Sequence, residues 1–240
     1  MLKVLAISSS RVGGGGFLEN AVPLISNFIG SKNLNIAFIP FASVQKDYEE
    51  YGNMVKKAFE LLPYSINTAT PSNAKPIVQN ADVIMIGGGN TFKLLHDIYE
   101  QGLFELITEK VKMGTPYIGW SAGANITGKS ISTTNDMPII QPRSFRAFGF
   151  FPFQINPHYI NQAVEGHNGE TRDQRLEEFV TLNPNIPVVA LPEGTALLLQ
   201  DDVLKFTGEK EGVLFKSGPN HVIQKIMIAK EDDLSSLQSP

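Results

Sequence analysis

Over the first half of the chain, short apolar runs suited to strands alternate with longer segments of helical spacing. This alternation limits the folds open to the chain. The runs are residues 3–8, 35–39, 64–69, 82–86 and 116–119. Pro40 stops the second, and Gly87-Gly88-Gly89 ends the fourth, the strongest of the five. Residues 17–29 have helical spacing despite Pro23, and residues 48–62, 91–99 and 103–113 also read as helices, broken at Gly102. Strands joined through helices call for right-handed crossovers and a parallel sheet, so the fold class is α/β.

The pattern changes after residue 130. Residues 132–153 are rich in Pro, Phe and Arg and have no period. A long irregular stretch inside a compact domain is usually functional or poorly ordered. Residues 169–182 read as a helix and 188–191 as a strand. Residues 196–228 alternate like antiparallel hairpins, with turns near Asp201-Asp202 and Gly218-Pro219, and residues from Glu231 on read as a tail. With no repeat and no linker, residues 1–240 are expected to form a single domain.

Composition excludes several classes. Hydrophobic residues make up 42% and charged residues 18%, enough to bury a sizeable core and unlike a disordered chain. A net charge of −4 carries no basic footprint, so no nucleic-acid partner is expected. The absence of cysteine removes disulfides, thiolate metal sites and a cysteine nucleophile, and fits a reducing cytosol. No run approaches the roughly 18 apolar residues of a membrane span, and the apolar core Val4 to Ile7 is too short for a secretory signal. The expected setting is therefore cytoplasmic, with no membrane partner. The sequon Asn125-Ile126-Thr127 is then a coincidence.

The sharpest chemical signal is Gly119-Trp120-Ser121-Ala122-Gly123. It fits G-x-S-x-G, in which a serine sits on a tight strand-to-helix turn that exposes its hydroxyl at the end of a sheet. The N–H of Ala122 would then face a developing oxyanion. A serine nucleophile needs a base, and the chain has four histidines. His96 falls within a helix, His167 in a glycine-flanked loop, and His221 at the start of the last strand. His158 follows Pro157 after an apolar run, in a rigid position where a general base can be held. Two acids compete to orient it. Glu193 follows the run 188–191, and Asp136 lies on the irregular segment. Because the carboxyl ends of strands in open α/β sheets converge on one crevice, Glu193 is favoured, with Asp136 still open.

Gly88 and Gly89, before Asn90 and a helix, let backbone N–H groups approach a ligand, as in a phosphate cradle or the second half of an oxyanion hole, the role expected here. Residues 123–130 also match G-x-x-x-x-G-K-[ST] letter for letter. A P-loop needs a long helix straight after its Lys. Here Lys129-Ser130 leads into Thr133-Thr134-Asn135-Asp136 and Pro138, a poor helix, so nucleotide binding is not expected.

Taken together the motifs resemble the peptidase E family, the α-aspartyl dipeptidases, which are serine peptidases. The resemblance rests on seven ordered blocks. They are Ile39-Pro40-Phe41-Ala42, Gly87-Gly88-Gly89-Asn90-Thr91-Phe92, Tyr117 through Asn125, Thr133 through Ile139, Gln154-Ile155-Asn156-Pro157-His158, Gly166 through Arg172 and Leu191-Pro192-Glu193-Gly194. It fades after Gly194, and Lys129-Ser130 departs from the family pattern without touching a catalytic position. The resemblance implies a doubly wound, mostly parallel α/β sheet with helices on both faces, like class I glutamine amidotransferases, followed here by antiparallel hairpins. It implies Ser121 as nucleophile, His158 as base and Glu193 as third member, and cleavage of dipeptides with N-terminal aspartate. An aspartyl carboxylate is best read by a guanidinium fork. Of five arginines, Arg172 falls in a matching block, with Arg143 and Arg146 in reserve. Asp136 and Asn90 are further expected substrate contacts. The expected partner is a small acidic dipeptide, with no cofactor and no metal, and a homodimer is left open.

Overall fold

The computed structural model describes residues 1–161 and 168–238. Five parallel strands form its centre: β1 (Val4–Ile7), β2 (Leu34–Ile39), β3 (Tyr64–Thr68), β4 (Val83–Ile86) and β5 (Tyr117–Trp120), in the order β3-β2-β4-β5-β1. Val4, Leu5, Ala6 and Ile7 are all buried, as are all residues of β4 and β5, because both faces of a parallel sheet are covered. Alternate residues serve opposite faces. Leu5 and Ile7 join Ile25 of α1 (Ala21–Ile29) and Val55 of α2 (Tyr48–Ala58). Val4 and Ala6 join the core of the other face. That face is built from α3 (Ala74–Gln79), α4 (Thr91–Glu100) and α5 (Phe104–Lys112), through Val78, Leu94, Leu95 and Ile107. The sequence pattern misses α3, which spans six residues and contains Pro76. The proline is harmless because a first helical turn needs no N–H donor.

The chain then makes a second, smaller sheet. A short helix, α6 (Ala122–Asn125), follows β5, and β6 (Gln154–Pro157) runs parallel to β7 (Val188–Leu191) through the crossover α7 (Arg172–Leu182). After β7, β8 (Thr195–Gln200) pairs antiparallel with β1 and with β9 (Val203–Gly208), completing a seven-stranded sheet. Next, β10 (Gly212–Ser217) and β11 (Ile223–Ile228) return to β7, giving the order β11-β10-β7-β6. Leu176 and Val180 of α7 cover Val188, Ala190, Val213 and Phe215. Most element types are thus legible in the sequence, while α3, β6 and the division into two sheets emerge only in three dimensions.

Two segments differ from their sequence reading. Residues 132–153 lack helix and strand, yet Phe148, Phe150, Phe151 and Phe153 are buried. Phe148 stacks on Phe104 and on Phe150 at ring centroid distances of 5.2 and 5.1 Å. Aromatic burial, without hydrogen-bonded regularity, holds this segment. The expected tail is also bound. Phe206 N–H donates to Asp232 O, Leu234 N–H to Leu204 O, and Leu204 N–H to Ser235 Oγ, so residues 232–235 line β9. Leu234 is buried against the core.

Deleting residues 231–240 should therefore cost about 2–4 kcal/mol, chiefly from uncovering Leu204, Phe206 and the site of Leu234. Urea unfolding of the truncated chain checks this. A midpoint equal to that of the full chain would show that the segment contributes nothing.

Candidate active site

Ser121 follows β5 with φ 54° and ψ −113°, a conformation rarely adopted by a non-glycine residue. Its N–H continues the ladder with β1, donating to Ile7 O at 3.0 Å. The two motif glycines are steric necessities. A Cβ on Gly119 would lie 2.2 Å from Gly123 O, and one on Gly123 would lie 2.3 Å from Ile86 O. The strand can turn directly into α6 only because both are bare, and this throws the serine side chain outward.

His158 follows β6, also at positive φ (52°), and its Nε2 lies 2.9 Å from Ser121 Oγ. Its Nδ1 lies 2.9 Å from Glu193 Oε1. Glu193 occupies a turn after β7, closed by Thr195 N–H donating to Pro192 O at 3.1 Å, with Gly194 at φ 88°. Glycine at that position supplies the positive φ that a type II turn requires. The side chains of His158 and Glu193 are 40% and 46% exposed, so the triad is open to solvent. Residues from the ends of three strands in two sheets thus form one hydrogen-bonded chain, in the sequence order Ser, His, Glu.

The clasp between the sheets is a residue that the sequence reading passes over. Ser8, fully buried after β1, donates through Oγ to Leu191 O at 2.7 Å and accepts from His158 N–H at 2.9 Å. Its signal was its place at the carboxyl end of a central strand, beside the other sites.

The backbone N–H groups of Gly88, Gly89 and Ala122 have no hydrogen-bond acceptor among the described residues. Gly88 touches the nucleophile, since a Cβ placed on it would lie 2.8 Å from Ser121 Cβ. Gly89 adopts φ 138°, and a side chain there would strike Ala42 O at 2.4 Å. This loop is pinned from behind. Asn90 N–H donates to Ala42 O, and buried Lys93 donates from Nζ to Phe41 O and pairs with Asp97. The same three N–H groups are those the sequence reading names as an oxyanion hole.

The structure engages Asp136 and Asn90 elsewhere than at the triad. Asp136 Oδ2 accepts from Thr91 N–H at 2.7 Å and from Thr91 Oγ1 at 2.5 Å. Asn90 Oδ1 caps α4 through Lys93 N–H, and its Nδ2 donates to Met137 O. Both side chains thereby tie the irregular segment to the glycine loop. His158 hydrogen-bonds to Glu193, so the choice of orienting acid left open by the sequence falls to Glu193 on geometry.

Arg172 opens α7, half-buried, and donates from Nη1 to Asn156 Oδ1 at 3.4 Å. Asn156 in turn donates to Thr133 O and to Asn135 Oδ1, both at 2.8 Å, which ties the arginine to the strand bearing His158. Burial, and then the like charge of Arg175, hold the guanidinium below the ordinary arginine pKa. Among the described residues no carboxylate pairs with it. The neighbouring acids are engaged elsewhere, Glu170 with Arg175 and Asp173 with Tyr159 and Lys225. Arg143 and Arg146 lie on the irregular segment, and Arg146 stacks over Phe104.

The remaining histidines do not join the triad. His96 contacts Asp97 on α4, and His221 lies in a turn before β11. His167 falls outside the described residues. The P-loop match is no phosphate cradle either. The N–H groups from Ala124 to Ser130 already donate to protein acceptors, including Lys129 N–H to Phe153 O and Ser130 N–H to Gln154 Oε1. Among the described residues no group of three acidic or histidine side chains could hold a metal ion, and no helix is long and apolar enough to cross a membrane.

A profile of peptidase family S51 matches residues 4–207. The chain belongs to this family. It is a serine peptidase by that membership. A peptidase E of Nostoc sp. is 46% identical over 217 residues, covering 90% of each chain. A peptidase E of Shewanella denitrificans is 46% identical over 236 residues, covering 98% of each. In three dimensions, the crystal structure of a peptidase from an acI-B1 Actinobacterium aligns with a TM-score of 0.64 at 17% identity, over 97% of this chain and 96% of that one. This last likeness concerns the fold alone.

Two measurements follow from the geometry of this S51 peptidase. Ser8→Ala should leave His158 N–H unpaired, while Leu191 O keeps its bond from Tyr159 N–H, lowering stability by about 1–3 kcal/mol and kcat roughly tenfold, with little change in KM. Chemical unfolding and steady-state kinetics test both halves, and a normal kcat would remove Ser8 from any positioning role. Arg172 has the opposite character, being a half-buried cation with no acid partner among the described residues. Arg172→Met should leave the thermal midpoint unchanged or raise it while activity collapses. A marked loss of stability would mean that the guanidinium serves the fold.

Proposed function

We propose that this peptidase hydrolyses dipeptides with N-terminal aspartate through an acyl-enzyme. The observation that carries the reading is the hydrogen-bonded series Ser121–His158–Glu193, with Arg172 hydrogen-bonded to Asn156 on the strand that leads to His158 and paired with no carboxylate among the described residues. Ser121 Oγ attacks the aspartyl carbonyl carbon while its proton passes to His158 Nε2, 2.9 Å away. Glu193 holds the imidazole in the productive tautomer and stabilises its cation. The oxyanion is received by the N–H groups of Gly88, Gly89 and Ala122, which have no acceptor among the described residues. His158 then returns the proton to the departing amine. Water, activated by the same imidazole, hydrolyses the aspartyl ester and frees Ser121.

Arg172 supplies specificity in this reading. Its half-buried fork makes two charge-assisted hydrogen bonds to the aspartyl side chain. A desolvated guanidinium penalises substrates that leave it unpaired. Asn at the first position keeps the shape but loses the charge. Glu keeps the charge but overshoots a fixed fork by one methylene.

The test is kcat/KM for Asp-Leu, Asn-Leu, Glu-Leu and β-aspartyl-Leu, with wild type and Arg172→Met. Asp-Leu should lead by two orders of magnitude or more in wild type, and Arg172→Met should lose about 2–5 kcal/mol of transition-state stabilisation on it. Preference for the β-linked peptide would redirect the reading to isoaspartyl or cyanophycin-type amides. Ser121→Ala should abolish turnover with the fold intact, and Glu193→Gln should cost less than His158→Ala. EDTA should have no effect. If Asp136→Asn proves crippling while Glu193→Gln is near normal, the assignment of the orienting acid fails.

A further inference from the structure

Tyr51 lies on α2, outside every motif block, yet its hydroxyl meets the glycine loop. Trp120 Nε1–H donates to Tyr51 Oη at 3.0 Å, and Tyr51 O–H donates to Gly88 O at 3.2 Å. The direction of this wiring is forced. An indole N–H can only donate, so the tyrosine oxygen must accept there and place its own proton elsewhere. Gly88 O is the acceptor it reaches among the described residues. Burial pushes the phenol up to about 12, so it keeps that proton through the neutral range.

The surroundings allow little other movement. Tyr51 sits edge-on to Phe38 and Phe17, at centroid distances of 5.1 and 6.1 Å, and Phe38 stacks on Trp120 at 5.7 Å. The first glycine of the run leaves room for the phenol, since a Cβ on Gly87 would lie 2.7 Å from Tyr51 Oη. A trans peptide is planar, with C=O and the following N–H pointing in opposite directions. Holding Gly88 O therefore also aims the N–H of Gly89, on the side away from Tyr51, where it has no acceptor among the described residues.

We propose that Trp120 and Tyr51 form a positioning relay that locks the Gly88–Gly89 peptide plane in the orientation needed to receive the oxyanion. The inference rests on the reading of Gly88 and Gly89 as oxyanion donors. The relay starts from the residue directly before the nucleophile. The turn that presents Ser121 and the loop that stabilises its product charge are thus held in one register. Neither side chain touches substrate. Their effect is confined to the state in which the oxyanion exists, because donors gain most where charge develops.

Tyr51→Phe keeps the ring and its aromatic contacts and removes only the hydroxyl. Its kcat on Asp-Leu should fall roughly tenfold, less than the 10²–10³ typical of deleting a donor outright. KM should stay within twofold. Affinity for the α-aminoboronic acid analogue of aspartate, a tetrahedral mimic, should weaken by the same factor as kcat/KM. Inhibition by L-aspartate, which forms no oxyanion, should be unchanged. A merely structural role would weaken both ligands together or lower the fraction of protein titrated by a fluorophosphonate. A Tyr51→Phe enzyme with wild-type kcat and boronate affinity overturns the proposal.

Should Tyr51→Phe not fold, Trp120→Phe carries the test, because the phenol then loses its orienting donor. A several-fold fall in kcat at constant KM supports the relay, and no change overturns it. Should wild type cleave no aspartyl dipeptide, the substrate reading fails by itself. The relay is then judged from the rate at which a fluorophosphonate labels Ser121. Labelling about tenfold slower in Tyr51→Phe supports it, and equal labelling refutes it.

Discussion

The hydroxyl of Ser8 is where the two sheets of this protein become one machine. It belongs to the large sheet, while its two partners belong to the ends of β6 and β7 in the small one. A buried hydroxyl between a carbonyl and an amide has little freedom, and leaving the His158 amide bare is costly. The distance from Ser121 on β5 to His158 on β6 is set across that joint. Asn125, donating to Ile155 O, and Thr133, donating to the same carbonyl, hold the rest of the seam. The triad geometry is thus a property of the inter-sheet contact rather than of any one element.

Much of this was legible in the sequence because the signals were local. The G-x-S-x-G run specifies its own turn, and its glycines are explained by contacts with Gly123 O and Ile86 O. The run 188–191 matches β7 residue for residue, since an unbroken apolar stretch bounded by Pro187 and Pro192 has no other use. Glu193 and His158 were legible because strand ends gather functional residues. Arg172 was picked by resemblance and chemistry, and the structure adds that the neighbouring acids Glu170 and Asp173 are taken by other partners.

What stayed hidden depended on pairings distant in sequence. Ser8 meets Leu191 across 183 positions, and Tyr51 meets Trp120 across 69. No spacing rule announces such contacts. Asp136 and Asn90 are expected as substrate contacts, and in the structure their hydrogen bonds cap α4 and anchor the glycine loop. The aromatic segment 148–153 had no period to detect, because its order comes from stacked rings.

The exposure of His158 and Glu193 also bears on how the site meets its substrate in salt. Counter-ions reach an open triad, and at physiological ionic strength the Debye length is about 8 Å. The contact at 2.9 Å between these two side chains lies well inside that distance, while the chain as a whole carries a net charge of −4. For an acidic substrate the long-range field is repulsive and the short-range field of Arg172 attractive. Dissolved salt weakens the first far more than the second. Encounter with such a substrate would therefore quicken as ionic strength rises toward the physiological range, the reverse of the behaviour of an enzyme that steers its substrate by opposite charge.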